Sequence, residues 1–163
     1  GRNPVGVTAY FAWLYDANYR HAASHDEPDS VVFIEGARIT LEAHIAEYPA
    51  AEHAALREVL SVGDRWQPDR TIVLTSSTDT IEKHIRHRRR PHEELELMVN
   101  RFRMIDAEFR RLAPQVPGSV VINRDGLEFH TREGLEAIIQ AAGLPRYPDV
   151  PYQQMTRFVG RED

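Results

Sequence analysis

The apolar positions follow two different spacings along the chain. Three short apolar runs are typical of strands, and longer segments between them repeat apolar residues at helical spacing. The predicted strands cover residues 31–34, 71–75 and 120–122. The predicted helices cover residues 8–19, 40–48, 50–60, 79–90, 92–113 and 131–142. Strands that alternate with helices predict an α/β fold with a parallel sheet.

The stretch 68–94 is the segment around which the other elements are arranged. Its unbroken apolar run at residues 71–75 suits a strand buried on both faces of a parallel sheet. Asp79 and Glu82 have the spacing of a capping box, with Asp79 as the N-cap of the next helix. Pro91 ends that helix or bends it sharply.

An arginine cluster closes the same helix at Arg86, Arg88, Arg89 and Arg90. Guanidinium groups this close together repel one another in water. The cluster is therefore either a solvated helix end, which suits the helix dipole, or a place where an anion binds.

Residues 8–19 form a helix that is apolar on most of its surface. This pattern predicts a largely buried helix. Tyr10, Phe11 and Trp13 could stack on a base, but the pattern favours a place in the core.

Composition sets limits on the class of protein. A chain of 163 residues with 42% hydrophobic residues predicts one domain with its own core, spanning residues 1–163. It has no apolar run of about 18 residues and no secretory pattern at its start, so we expect no membrane span. The absence of cysteine excludes disulfides and thiolate metal sites and is compatible with a reducing, cytoplasmic location. The net charge of −5 argues against wholesale binding of nucleic acid but not against a local basic patch.

The eight histidines raise the question of a metal site. His84, His87 and His92 lie near one another in sequence, but no H-E-x-x-H pattern occurs. His21 and His25 have the spacing of surface neighbours on a helix. The sequence therefore argues against a metal site formed by histidines.

Three segments, in their order and spacing, carry a resemblance to a known family. Residues 31–38 end a strand in an acid–arginine pair, although Gly36 and Ala37 separate its two members. Residues 68–94 form a Pro-Asp, strand and helix unit that runs into the arginines, and residues 120–126 form a last strand and loop. From about residue 29 to residue 143 the chain resembles the later part of P-loop nucleoside and nucleotide kinases, the group of deoxynucleoside kinases and thymidylate kinases.

The resemblance implies a three-layer sandwich, in which helices flank a parallel sheet and an arginine-bearing helical lid lies at about residues 86–94. Residues 144–163 would form a tail. It also implies transfer of a phosphoryl group from ATP, with Mg²⁺, to a nucleoside, a nucleotide or a similar acceptor, and it is compatible with a homodimer. The catalytic residues implied by the resemblance are Glu35, Arg38, Arg86, Arg88 and Arg90.

Glu35 would accept a proton from an acceptor hydroxyl, and Arg38 would pair with the acceptor's phosphate or with Glu35. The plain alternative for Glu35 is a strand-end acid that caps the next turn. The resemblance places Arg89 at the transferred phosphate, and Asn123, Arg124 and Asp125 beside the nucleotide base. A plain turn is the alternative for residues 123–125.

The family's phosphate loop is G-x-x-x-x-G-K-[ST], whose backbone N–H groups hold the phosphates. Gly1, Gly6 and Thr8 match this pattern, and Thr8 would then be the Mg²⁺ ligand. The lysine position holds Val7, and Lys83 is the only lysine in the chain. The alternative for Thr8 is a cap on the helix that it begins.

Two explanations account for the missing lysine. The chain begins without methionine, so it is either a processed, tagged or truncated chain whose phosphate loop lies upstream, or a degenerate relative of the family. In the first case, which we favour, Arg2 and its neighbours resemble a second arginine motif of the DR-x-P-x-S kind. Besides the phosphotransferase, two functions stay open, namely a non-catalytic nucleotide- or phosphate-binding module and a protein that docks nucleic acid through residues 86–111.

Overall fold

The computed structural model describes residues 3–25, 31–36, 38–65, 67–88, 94–128 and 131–144. The helices in this part of the chain are α1 (Pro4–Ala23), α2 (Arg38–Ile45), α3 (His53–Leu60), α4 (Thr78–Arg88), α5 (Leu95–Leu112) and α6 (Arg132–Ala141). The strands are β1 (Thr71–Thr75) and β2 (Ser119–Asn123). Short 3₁₀ turns cover Ala50–Glu52, Ser61–Arg65 and Ala113–Gln115. No helix among these residues is long and apolar enough to cross a membrane.

The two strands pair in parallel, from Thr71 opposite Ser119 to Thr75 opposite Asn123. The predicted α/β class with a parallel sheet is thereby confirmed, in a chain that is mostly helical in its described part. Because the carboxyl ends of parallel strands lie side by side, the loops after β1 and β2 are neighbours.

The predicted strand at residues 31–34 is wrong, since no described strand pairs with it. Val31, Val32 and Phe33 are 54%, 48% and 64% exposed. An apolar run has the composition of a strand, but backbone pairing makes it one, and pairing depends on residues elsewhere.

The chain divides into two compact units. The first comprises Gly1–Pro68 and Met104–Leu112. Its core is the cluster of Leu41, Ile45, Leu56 and Leu60, against which Ala12, Tyr15 and Tyr48 pack. Helices α1, α2 and α3 therefore hold this unit together.

Helix α1 places its aromatic residues on the outside. Tyr10, Phe11 and Trp13 are 57%, 40% and 63% exposed, so the prediction that they lie in the core is wrong. Thr8 and Asp16, two turns apart on one face, are buried instead. A helix that is apolar nearly all round has no pattern to choose its inner face, so its neighbours α2 and α3 make the choice.

The second unit comprises Asp69–Arg103 and Ala113–Asp163, and contains the sheet. In β1, Thr71, Val73 and Thr75 are buried, while Leu74 is 37% exposed. The strand thus buries one face fully, where burial of both was predicted. Before β2, Gly118 has a φ of +68°, and a Cβ there would lie 2.6 Å from the Asp69 carbonyl oxygen, so only glycine fits this approach.

Helix α4 begins earlier than predicted. It starts at Thr78, and the Ser77 hydroxyl oxygen accepts a hydrogen bond from the Thr80 N–H at 3.3 Å. Ser77 therefore takes the capping role predicted for Asp79, because it offers its oxygen as soon as β1 ends. The helix predicted at residues 131–142 is confirmed as α6, with Thr131 as its N-cap and Gly143 at a φ of +71° after its end.

Candidate functional site

The carboxyl ends of β1 and β2 are tied together by the loop that follows β2. The Arg124 N–H donates to the Thr75 carbonyl oxygen at 2.8 Å and extends the pairing by one residue. The Asp125 N–H donates to the Asn123 Oδ1 at 3.1 Å and closes a tight turn. Asn123 and Arg124 were predicted to lie beside a nucleotide base. They thus lie at the carboxyl ends of the strands, where ligands of parallel α/β folds bind.

Asp125 occupies the N-terminal end of α4. Its Oδ1 accepts a hydrogen bond from the Ser77 N–H at 2.9 Å. The hydrogen bonds from the Ser77 N–H and from the Thr80 side chain lower the pKa of Asp125. The carboxylate therefore supplies negative charge at the positive end of the helix dipole, where a bound phosphate often sits in other proteins.

The arginines of the predicted lid lie at the other end of α4. Arg86 and Arg88 are exposed in its last turn, while Arg89 and Arg90 lie outside the described residues. Arg86 donates to the Glu82 Oε1 from Nε at 2.8 Å and from Nη2 at 2.5 Å. An anion that binds Arg86 must compete with this carboxylate.

Arg88 is held differently. Its Cζ lies 5.7 Å from the centroid of the Phe102 ring on α5. A cation–π contact of this kind restrains a guanidinium over the face of the ring. Of the two described lid arginines, Arg86 is thus paired with a carboxylate of its own helix, whereas Arg88 contacts an aromatic ring of α5.

One further side chain joins α4 to the loop after β2. The Arg124 Nη2 lies 3.4 Å from the His84 Nδ1. Because a guanidinium has donors only, the imidazole nitrogen accepts in this contact. The described residues contain no group of three or more histidine or acidic side chains that could hold a metal ion.

Glu35 and Arg38 belong to the first unit. Glu35 is exposed, and its charge helps to raise the pKa of Tyr15. Arg38 pairs with Asp64, so the predicted pairing with Glu35 is not the one that the structure forms. Asp64 is its partner because the 3₁₀ turn after α3 returns to the start of α2.

Residues 4–8 do not form a phosphate loop. Gly6 and Thr8 lie in the first turns of α1, where the Asn3 Oδ1 accepts a hydrogen bond from the Gly6 N–H at 3.2 Å. Thr8 is 6% exposed, so its hydroxyl does not face solvent as an Mg²⁺ ligand would. Helix N-capping by Asn3 ahead of Pro4 explains the difference, and Gly1 and Arg2 lie outside the described residues.

Sequence reasoning placed Asp125 beside a nucleotide base or in a plain turn but did not predict its hydrogen bond with Ser77, and it missed Tyr15 as a neighbour of Glu35. The sequence shows Asp125 only as part of a strand exit at residues 123–125. Tyr15 had no signal, because an aromatic residue on an apolar helix is typical of core. Comparisons with family models, with curated proteins and with solved structures found no match to this chain.

Proposed function

We propose that this chain belongs to an ATP-dependent phosphotransferase of the nucleoside or nucleotide kinase type. The observation that carries the proposal is one arrangement in the second unit. A strand of a parallel pair leads through a capped turn into α4, and α4 presents Arg86 and Arg88 in its last turn. The three-layer sandwich of such kinases is part of the proposal.

In this proposal the chain's own groups bind and orient phosphate. Arg88, restrained by Phe102, donates hydrogen bonds to a phosphoryl group as negative charge develops on it. Arg86 joins it by exchanging Glu82 for the phosphate. The roles of Glu35 as proton acceptor and of Arg38 as a cation for the acceptor's phosphate are part of the proposal and rest on the resemblance alone.

In the proposal ATP binds through its phosphates to the exposed arginines of α4, and when bound it would supply the phosphoryl group that is transferred. For Mg²⁺, by contrast, the described residues offer no suitable set of ligands. Thr8 is buried within α1, and the described residues hold no cluster of carboxylates or histidines for a metal. The described residues therefore do not fit a protein-held Mg²⁺.

A second candidate function rests on the lysine content. Lys83, the only lysine, is exposed on α4 and does not follow a glycine-rich loop. A kinase-like fold without that lysine binds phosphate without transferring it. The second candidate is accordingly a non-catalytic nucleotide- or phosphate-binding module.

One experiment separates the two candidates. The native, full-length protein is incubated with MgATP and a panel of nucleosides and nucleoside monophosphates. ADP and phosphorylated acceptor are quantified by chromatography, and ATP binding is measured by calorimetry. Stoichiometric ADP and phosphorylated acceptor support the phosphotransferase, and binding without turnover supports the binding module. Absence of both contradicts both proposals.

A further inference from the structure

The loop after β2 holds α4 at two points. At the start of the helix, the Asp125 Oδ1 accepts from the Ser77 N–H across 48 positions of sequence. Further along, the Arg124 Nη2 meets the His84 Nδ1. Seven residues separate Ser77 from His84, which corresponds to about 10 Å along a helix axis. Two contacts this far apart fix the direction of the α4 axis as well as the position of its first turn.

The same loop is anchored to the sheet. The Arg124 N–H donates to the Thr75 carbonyl oxygen at 2.8 Å, and β1 and β2 pair over five residues each. Asp125 is therefore anchored to the paired strands of the second unit. Its hold on Ser77 passes the orientation of the sheet to the helix.

The charge of Asp125 adds to this hold. An ionised carboxylate accepts a stronger hydrogen bond from a backbone N–H than a neutral group does, and it also complements the helix dipole. Asp79, in the first turn of the same helix, is exposed and has no hydrogen bond to the loop after β2 among those described. Both carboxylates thus complement the positive end of the helix dipole, but only Asp125 accepts the hydrogen bond from the Ser77 N–H among the described residues.

A tilt of the α4 axis at its first turn produces a larger displacement at its last turn. Arg88 lies eleven positions after Ser77, about 16 Å along the axis. A tilt of about 10° at the first turn would move Arg88 by about 3 Å. Phosphate contacts do not survive such a displacement, because misplacements of about 1 Å already cost large factors in rate.

We propose that Asp125 is a positioning residue that sets the place of Arg88 by holding the N-terminal end of α4. The inference rests on the proposed function for its effect on catalysis, since Arg88 is the group that would bind phosphate. The orientation of Arg88 can be measured without any activity, so the two proposals can fail separately.

The test uses three variants of the native, full-length protein. Asp125→Ala removes the acceptor of the Ser77 N–H. Asp125→Asn keeps an acceptor oxygen but removes the charge. Asp79→Asn is the matched control, because it removes a carboxylate from the same end of the same helix. Circular dichroism and thermal unfolding check that each variant is folded.

Two readouts are taken on each variant. The Arg88 Nε–H resonance, assigned with Arg88→Lys, is followed by ¹⁵N NMR. Binding of inorganic pyrophosphate is measured by calorimetry, and kcat and KM for ATP are measured separately. We expect Asp125→Ala to shift the Arg88 resonance and to weaken pyrophosphate binding or kcat on the order of 10- to 100-fold. Asp125→Asn should recover most of this loss, and Asp79→Asn should show neither effect.

The outcomes separate cleanly. An unshifted Arg88 resonance in Asp125→Ala, or an equal shift in Asp79→Asn, overturns the positioning role whatever the activity. A shifted resonance in a protein that neither binds pyrophosphate nor transfers phosphate supports the positioning role and contradicts the proposed function. If Asp125→Ala does not fold, the comparison of Asp125→Asn with Asp79→Asn decides, with a larger shift of Arg88 expected in Asp125→Asn.

Discussion

At the scale of single residues, the Tyr15 ring lies against the backbone at Gly36, next to the predicted catalytic residue Glu35. Gly36 has a φ of +77°, and a Cβ placed on it would lie 2.6 Å from the Tyr15 hydroxyl oxygen. Burial, followed by the nearby charge of Glu35, raises the pKa of Tyr15. The ring and the bend at Gly36 together hold the backbone that carries Glu35.

The raised pKa of Tyr15 predicts a loss of stability in alkali. A tyrosine whose folded pKa exceeds its unfolded value of 10.0 contributes stability that is complete below pH 10 and is lost as pH rises through the folded pKa. Tyr15→Phe removes that titration. Urea unfolding from pH 8 to pH 11 should show the wild type losing unfolding free energy relative to Tyr15→Phe above about pH 10. A difference that is constant over this range would contradict the assignment.

Gly36→Ala should destabilise the protein by at least roughly 1–2 kcal/mol, the cost of a left-handed backbone for an L residue. The clash with the Tyr15 ring adds to this cost. Gly63→Ala is the control, since nothing lies within 4 Å of a Cβ there. Urea denaturation of both variants measures the difference. Equal effects would show that the contact at Gly36 is unimportant.

At the scale of elements, periodicity predicted the helices, because the hydrogen bonds of a helix form within one segment. Apolar runs also predicted β1 and β2, which become strands by pairing with each other. The strand at residues 31–34 failed because pairing partners are not a local property. The inner face of α1 failed for a related reason. Its apolar pattern is nearly continuous, so only packing on α2 and α3 selects Thr8 and Asp16 for burial.

The N-cap of α4 is Asp79 in the sequence prediction and Ser77 in the structure, so variants of these two residues can be compared. Ser77→Ala removes the hydroxyl that accepts from the Thr80 N–H and should cost about 1 kcal/mol of unfolding free energy. Asp79→Ala removes only a charge at the first turn and should cost less, about 0.3–1 kcal/mol at low salt. Thermal unfolding of the two variants decides. A larger loss for Asp79→Ala would restore the capping box predicted from sequence.

At the scale of the whole molecule, sequence reasoning reached the α/β class and the parallel pairing through the order of the elements. The single domain and the kinase-like sandwich stay predictions. The candidate site was reached in part. Arg86 and Arg88 were visible as a cluster, whereas the Asp125–Ser77 bond spans 48 positions and has no local signature.

If α4 presents Arg88 to a phosphoryl group, kcat for phosphoryl transfer depends on that guanidinium. Arg88→Gln is compared with Arg132→Gln in the native, full-length protein. Arg132 is a matched control, since it is exposed on α6 and its Nε lies 2.9 Å from the Glu136 Oε1. We predict that Arg88→Gln lowers kcat on the order of 100-fold or more, while Arg132→Gln leaves it nearly unchanged. Equal kcat values in the two variants would contradict this role of Arg88.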